Sequence, residues 1–250
     1  MNTPLLEEHL RALKLPGILA NYRRLAENKS DPIAYLGDLI SVEIERRQEN
    51  GVKQRIAAAH FPTLKTFDGF DFTLQPGVPK MKFLELADGR FVRESRNLVL
   101  YGPPGTGKTH SLIAIGLAAC THGYRTLFTT AASLLTGLLD AKRDGTLARK
   151  LRSFDRYALL LIDELGYVPF EREATDLLFQ VISQRYEHGS IAITTNLAFE
   201  QWTQVFPDAM AASAVIDRLI HHGTVFEFTG TSHRLRNRSG KSSDAGKTPR

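Results

Sequence analysis

Eight residues near the middle of the chain, Gly102-Pro103-Pro104-Gly105-Thr106-Gly107-Lys108-Thr109, have the spacing G-x-x-x-x-G-K-[S/T] of a phosphate-binding loop. Glycines at these places permit backbone conformations and close approaches that a Cβ would block, so successive N–H groups can converge on a phosphate. Lys108 is placed to neutralise β- and γ-phosphate oxygens and the Thr109 hydroxyl to ligate Mg²⁺. The positive end of the helix that follows adds to the field. The loop therefore predicts binding of ATP with Mg²⁺. A ligand-free glycine-rich turn is the bland alternative, and the flanks argue against it. Asn97–Tyr101 is strand-like and Ser111–Cys120 is helix-like.

A second chemistry-bearing stretch is Ala158-Leu159-Leu160-Leu161-Ile162-Asp163-Glu164, an apolar run that ends in two carboxylates. A buried parallel strand ending in charge delivers that charge to the ligand-binding edge of its sheet. Asp163 is expected on Mg²⁺ or just outside its ligand shell. Glu164 is the candidate general base for an attacking water. Alone, such a run is also what a strand exit into solvent looks like. Downstream of a phosphate loop it points to hydrolysis, since a water-activating carboxylate weakens a small-molecule kinase reading. Ile191-Ala192-Ile193-Thr194-Thr195-Asn196 ends in polar residues beside it. Asn196 either orients the attacking water, senses the γ-phosphate, or merely caps the strand exit. Arg218, in Ala214-Val215-Ile216-Asp217-Arg218-Leu219, is a candidate arginine finger for a neighbouring subunit's site, with an intrachain ion pair or a surface arginine as alternatives.

These residues need a sheet to hold them. Apolar β-like runs at Leu98–Tyr101, Thr126–Thr129, Ala158–Ile162, Ile191–Thr194 and Val225–Phe228 alternate with helical stretches. That alternation predicts a parallel sheet of five strands with helices on both faces. The first sixty or so residues are helical instead. Leu5, Leu6, Leu10 and Leu13 sit at helical spacing before Pro16-Gly17 breaks the pattern, and a second helix covers Ile18 to Asn28. Ser30-Asp31-Pro32 opens a third, which continues to Ala59 with Gly51 as a weak point. Its apolar stripe, Ile33, Leu36, Ile40 and Ile44, is narrow and flanked by charge, so it serves either a partner or the second domain. The aromatic, turn-rich connector from Phe61-Pro62 to Pro79 marks the domain boundary. The division expected is a helical domain at 1–64, an ATPase domain at 65–235, and a basic tail at 236–250 with too few apolar residues to order itself.

Composition sets outer limits. The chain has 250 residues, 42% hydrophobic and 24% charged, which suits one sizeable α/β domain and a small accessory one. Cys120 is the only cysteine, so no intrachain disulfide can form. No basic-then-apolar leader opens the chain, and no apolar run approaches the roughly 20 residues of a membrane span. A cytoplasmic protein without a membrane partner is expected. The net charge is +5. The cations cluster at 142–156 and 234–250, a footprint of a polyanion partner.

In order, Gly102–Thr109, Leu159–Glu164, Thr194–Asn196 and Asp217-Arg218 resemble the motif series of an AAA+ ATPase. The likeness narrows further. Gly102 through His110, Leu161-Ile162-Asp163-Glu164-Leu165-Gly166-Tyr167, Thr231-Ser232-His233-Arg234-Leu235 and the opening Leu5–Leu15 are similar to the IstB/DnaC family, particularly its IstB-type transposition helper branch. This resemblance implies an AAA+ fold with a small all-α N-terminal domain and no C-terminal lid, because the chain ends shortly after Phe228. It adds His110 to the nucleotide-binding stretch. It also implies a homo-oligomer built through AAA+ interfaces, which assembles on duplex DNA with ATP, remodels it and engages a cognate transposase. A helicase loader of the DnaC type is the alternative. Family members carry Tyr where His233 stands, which leaves the roles of His233 and Arg234 open. Lys142, Arg143, Arg149, Lys150 and Arg152 fall where initiator-type AAA+ proteins carry a DNA-facing helix, and a solvated basic face is the plain alternative.

Overall fold

The computed structural model describes residues 3–27, 31–166, 171–206 and 209–230. Tyr167, Ser30, the stretch 231–235 and the tail 236–250 lie outside them. Contacts divide the chain into two compact units, one up to Gln54 and one from Arg55 onward.

The first unit holds α1 (Thr3–Ala12), α2 (Pro16–Ala26) and most of α3 (Pro32–Ala58). The first helix ends at Ala12, ahead of Pro16-Gly17, as its composition suggested, and that pair also starts the next helix two residues earlier than expected. Proline suits that start, because the first helical N–H has no intrahelical acceptor and proline forfeits nothing there. What the sequence hid is the cap, which comes from 26 residues away. Glu43 Oε2 accepts the N–H groups of Gly17 at 2.7 Å and Ile18 at 3.3 Å, while its Oε1 accepts Arg47 Nε at 2.9 Å. A Cβ on Gly17 would lie 2.8 Å from Glu43 Oε2, so this approach requires glycine. Leu39 and Glu43 accordingly face inward on α3, and the stripe Ile33, Leu36, Ile40 and Ile44 is left exposed, Ile33 to 82%. At the start of α3, Asp31 Oδ1 accepts the Ile33 N–H at 2.9 Å, and the helix passes Gly51 without interruption.

The second unit is built on a five-stranded parallel sheet in the order β2-β3-β4-β1-β5. The strands are β1 (Asn97–Tyr101), β2 (Thr126–Thr130), β3 (Leu159–Leu165), β4 (Ser190–Thr195) and β5 (Gly223–Glu227). Before β1 come the short helices α4 (Lys80–Leu84) and α5 (Arg90–Arg93); the crossovers are α6 (Lys108–Thr121), α7 (Ala131–Arg143), α8 (Leu147–Ser153), α9 (Arg172–Arg185) and α10 (Ala209–Ile220). Side chains alternate along each strand, so each strand feeds both faces. Val99, Leu160, Ile162, Ile191 and Ile193 pack with α7, α9 and α10 in one core. Leu98, Leu100, Leu159, Leu161, Ala192 and Phe226 pack with α6 in the other. The expected fold class holds, and among the described residues no helix is long and apolar enough to cross a membrane.

The connector is not a spacer. Its Phe70 and Val78, together with Phe83, Leu86, Phe91 and Val92 of the segment that follows it, complete the α6-side core, and it makes short 3-10 turns at Phe67–Gly69 and Phe72–Leu74. Phe70 stacks on Phe83 at 6.0 Å and meets Phe228 edge-on at 6.3 Å.

Burial raises the Glu43 carboxyl, but the hydrogen bonds from Arg47, Gly17 and Ile18 and the charge of Arg47 together outweigh it and hold the group below its ordinary value of 4.5. A depressed folded value contributes stability that is complete above the unfolded value and is lost as pH falls through the folded one. Helix signal from the first unit is therefore expected to weaken on acidification below about pH 4.5. Glu43→Ala should cost about 1–3 kcal/mol by leaving two N–H groups without their acceptor. A urea titration followed by far-UV circular dichroism checks both, and an unchanged midpoint in Glu43→Ala would count against the cap.

Candidate nucleotide site

The strand β1 delivers the chain into a tight loop whose first residue, Gly102, adopts φ 142°. A Cβ there would stand 2.2 Å from the Phe228 carbonyl oxygen, so only glycine lets the loop leave the sheet along this path. Gly107, at φ 96°, is the last residue before α6, and Phe70 of the connector packs where its Cβ would be. Lys108 opens α6 with its side chain folded back into the loop: Nζ donates to Gly102 O at 2.6 Å and Pro103 O at 2.8 Å. Thr106, fully buried, donates to Pro103 O at 2.8 Å. Gly102, Pro103 and Thr106 thus shape the loop, whereas Pro104, Gly105, Gly107, Lys108, Thr109 and His110 line a cavity of about 730 Å³.

Across that cavity lie Glu164, Thr194 and Asn196, brought there because β3 and β4 are neighbours. Asp163 is buried just behind the wall. Its Oδ1 accepts the Thr109 hydroxyl at 3.0 Å and the Thr194 hydroxyl at 2.5 Å. Glu164 is exposed and has φ 60°, a left-handed conformation uncommon for a residue with a Cβ. Its N–H donates to Thr194 Oγ1 at 2.9 Å. A hydroxyl and a carboxylate so close together are the oxygen donors that Mg²⁺ takes in triphosphate sites, so Thr109 and Asp163 fit that ion. The phosphate loop, the carboxylate pair and Asn196 are therefore one site.

The connector supplies the remaining wall through Lys65, Gly69, Phe70 and Asp71. His110, at 5.7 Å edge-on to Phe70, has its Nε2 2.9 Å from Thr66 O, which ties the connector to α6. The sequence reading assigned none of these connector residues to the site. Phe67, Phe70 and Phe72 within a nominal linker were the available signal, since linkers do not ordinarily bury aromatic rings.

Arg218 is elsewhere. Its carbonyl accepts Asn97 Nδ2 at 3.0 Å, and Asn97 begins β1 whereas the phosphate loop follows the end of that strand. The residue therefore sits at the edge of the sheet opposite the cavity. Its guanidinium lies 4.5 Å from the centre of the Phe179 ring, and Nη1 donates to Ala214 O at 3.3 Å. The basic residues fall on two helices. Lys142 and Arg143 end α7, where Lys142 pairs with Glu173 at 2.7 Å and Arg143 with Asp140 at 3.5 Å. Arg149, Lys150 and Arg152 are exposed on α8, with Lys150 Nζ 5.9 Å from the Phe154 ring centre.

Comparison with known proteins agrees with this geometry. The profile of the family described as IstB-like ATP binding protein matches residues 8–241. An ATP-binding protein of insertion sequence IS5376 from Geobacillus stearothermophilus is 39% identical over 235 residues, covering 92% of this chain and 94% of that one. One of insertion sequence IS21 from Pseudomonas aeruginosa is 41% identical over 190 residues, 76% of this chain and 72% of the other. Among solved structures, DnaI superposes with a TM-score of 0.57 at 21% identity over 66% of this chain and 91% of its own. AMPPCP-bound DnaA from Aquifex aeolicus does so with 0.54 at 19% identity, over 74% of this chain and 56% of that one, a likeness of fold.

Replacing Lys108 with alanine removes the one ammonium that the loop folds around. A charge-assisted hydrogen bond is worth about 1.5–3 kcal/mol, so affinity for a fluorescent ATP analogue should fall on the order of 10- to 100-fold in Lys108→Ala. Equal affinities by fluorescence titration would remove Lys108 from the site.

Proposed function

Since the chain belongs to the family of IstB-like ATP-binding proteins, we propose that with ATP bound it assembles on duplex target DNA during insertion-sequence transposition, and that the assembled form remodels the DNA, hydrolyses ATP and engages the cognate transposase. Lys108 would hold the β- and γ-phosphate oxygens, and Thr109 with Asp163 would hold Mg²⁺. That ion would supply positive charge against the phosphate oxygens. Glu164 takes a proton from the attacking water, and Asn196 orients the same water.

The observation that supports a shared, oligomeric site is the distance between its parts along the sheet. Glu164 and Asn196 line the cavity at the C-terminal ends of β3 and β4, while Arg218 is held beside the start of β1. A guanidinium at that edge does not serve its own cavity, and it is available to the cavity of a neighbour stacked head to tail. Lys142, Arg143, Arg149, Lys150 and Arg152 are the DNA-facing cations, of which Arg149, Lys150 and Arg152 lie together, exposed, on α8. Contacts of that kind reach phosphates and confer affinity without sequence preference.

Three outcomes follow. Glu164→Gln should lower ATP turnover by about 10²- to 10⁴-fold, the usual worth of a general base, with binding retained. Arg218→Ala alone should be inactive, and mixing it with Lys108→Ala should recover turnover, since each variant lends the other what it lacks; no recovery would place Arg218 outside the site. Electron microscopy with duplex DNA and a slowly hydrolysed ATP analogue should show discrete assemblies only when both ligands are present. Monomers under every condition would overturn the proposal, and capture of a replicative helicase instead of a transposase would move the reading to a helicase loader.

A further inference from the structure

Thr194 was part of a polar strand end in which only Asn196 suggested a role. In the fold it is 1% exposed and its hydroxyl has two partners. Oγ1 donates to Asp163 Oδ1 at 2.5 Å and accepts the Glu164 N–H at 2.9 Å. A backbone N–H only donates, so the Thr194 proton must go to Asp163, and the polarity of the chain N–H to Oγ–H to carboxylate is set. One hydroxyl on β4 thus holds both acidic residues of β3.

Its place in the ladder explains why a side chain is needed. Ile162 pairs with Ile193 and Leu165 with Thr195, so three steps along β3 oppose two along β4. The extra residue makes a bulge, which interrupts the ladder and re-aims a side chain. Glu164 lies in that bulge at φ 60°. Its N–H finds the Thr194 hydroxyl where the ladder has slipped out of step. The same strand end also accepts the Gly102 N–H on Thr195 O at 3.2 Å, so loop, acid and base are referred to one segment.

We propose that Thr194 is a positioning residue for hydrolysis: its hydroxyl holds the β3 bulge that turns Glu164 into the cavity and keeps Asp163 aimed at Thr109. This rests on the hydrolytic reading above and adds to it a residue whose hydroxyl is committed to Asp163 and to the Glu164 N–H. Its loss is expected in the rate of the chemical step and not in nucleotide affinity.

The test uses the full chain with duplex DNA. Thr194→Val keeps the shape and removes the hydroxyl, and Thr194→Ser keeps the hydroxyl. A catalytic group displaced by about 1 Å loses on the order of 100-fold, so kcat in Thr194→Val should fall by roughly 10- to 100-fold. Affinity for a fluorescent ATP analogue should stay within about twofold, the signature of an interaction used only in the transition state. Thr194→Ser should return kcat to within about threefold of wild type, since the donor and acceptor are restored. Wild-type kcat in Thr194→Val, or a serine variant no better than the valine one, overturns the inference. If Thr194→Val does not fold, hydrogen exchange on the wild-type chain decides. A protected Glu164 amide supports the bond to Thr194, and exchange as fast as that of an exposed loop amide overturns it. Absence of turnover in the wild-type chain would instead overturn the hydrolytic reading, and this inference with it.

Discussion

Asp163 Oδ1 is the meeting point of two hydroxyl groups, one from Thr109 on α6 and one from Thr194 on β4. Buried in a setting of low effective dielectric, such a shared acceptor is stronger than the same bonds in water, and it is costly to leave half-satisfied. It joins the first turn after the phosphate loop to the strand that separates β1 from β3 in the sheet. The loop, the acidic pair and Asn196 come from three places in the chain. They meet at one cavity, and this network ties the loop to the acidic pair. Loss of the Asp163 carboxylate would leave the Thr109 and Thr194 hydroxyls without their shared acceptor.

Around that network, the sheet does two things at once. Its alternating strands bury one row of side chains under α7, α9 and α10 and the other under α6 and the connector, which makes a rigid platform. Its parallel direction collects the chemistry-bearing strand ends along one edge. Arg218 is carried to the other edge by the same geometry, since α10 must return to the start of β5. Separation of the guanidinium from its own cavity is therefore a consequence of topology.

The helical unit at the N-terminus follows a different logic. Its helices are short of apolar surface, and a buried carboxylate, Glu43, organises them by capping α2 from α3. The stripe of Ile33, Leu36, Ile40 and Ile44, too narrow in the sequence for a core of its own, stays exposed as a result.

Much of this protein was legible from its residues. The phosphate loop is a local motif in which glycine spacing and Lys-Thr carry the chemistry, and the five strands announced themselves as apolar runs bounded by polar ends. The motif and the strand ends pointed to Lys108, Thr109, Asp163, Glu164 and Asn196, and the fold puts four of them on one cavity with Asp163 behind its wall, because a parallel sheet gathers strand ends. What the sequence could not contain is any relation between segments far apart in the chain. The cap from Glu43 to Gly17 spans 26 residues, and the tie from Thr194 to Glu164 spans 30. The aromatic connector had the composition of a boundary and became a wall of the cavity, because Phe70 found Gly107 and His110 across more than thirty residues of chain. Local pattern determined which residues carry the chemistry; the packing of distant segments decided which side chains hold them in place and where Arg218 points, because hydrogen-bond partners and sheet edges exist only once the chain has closed on itself.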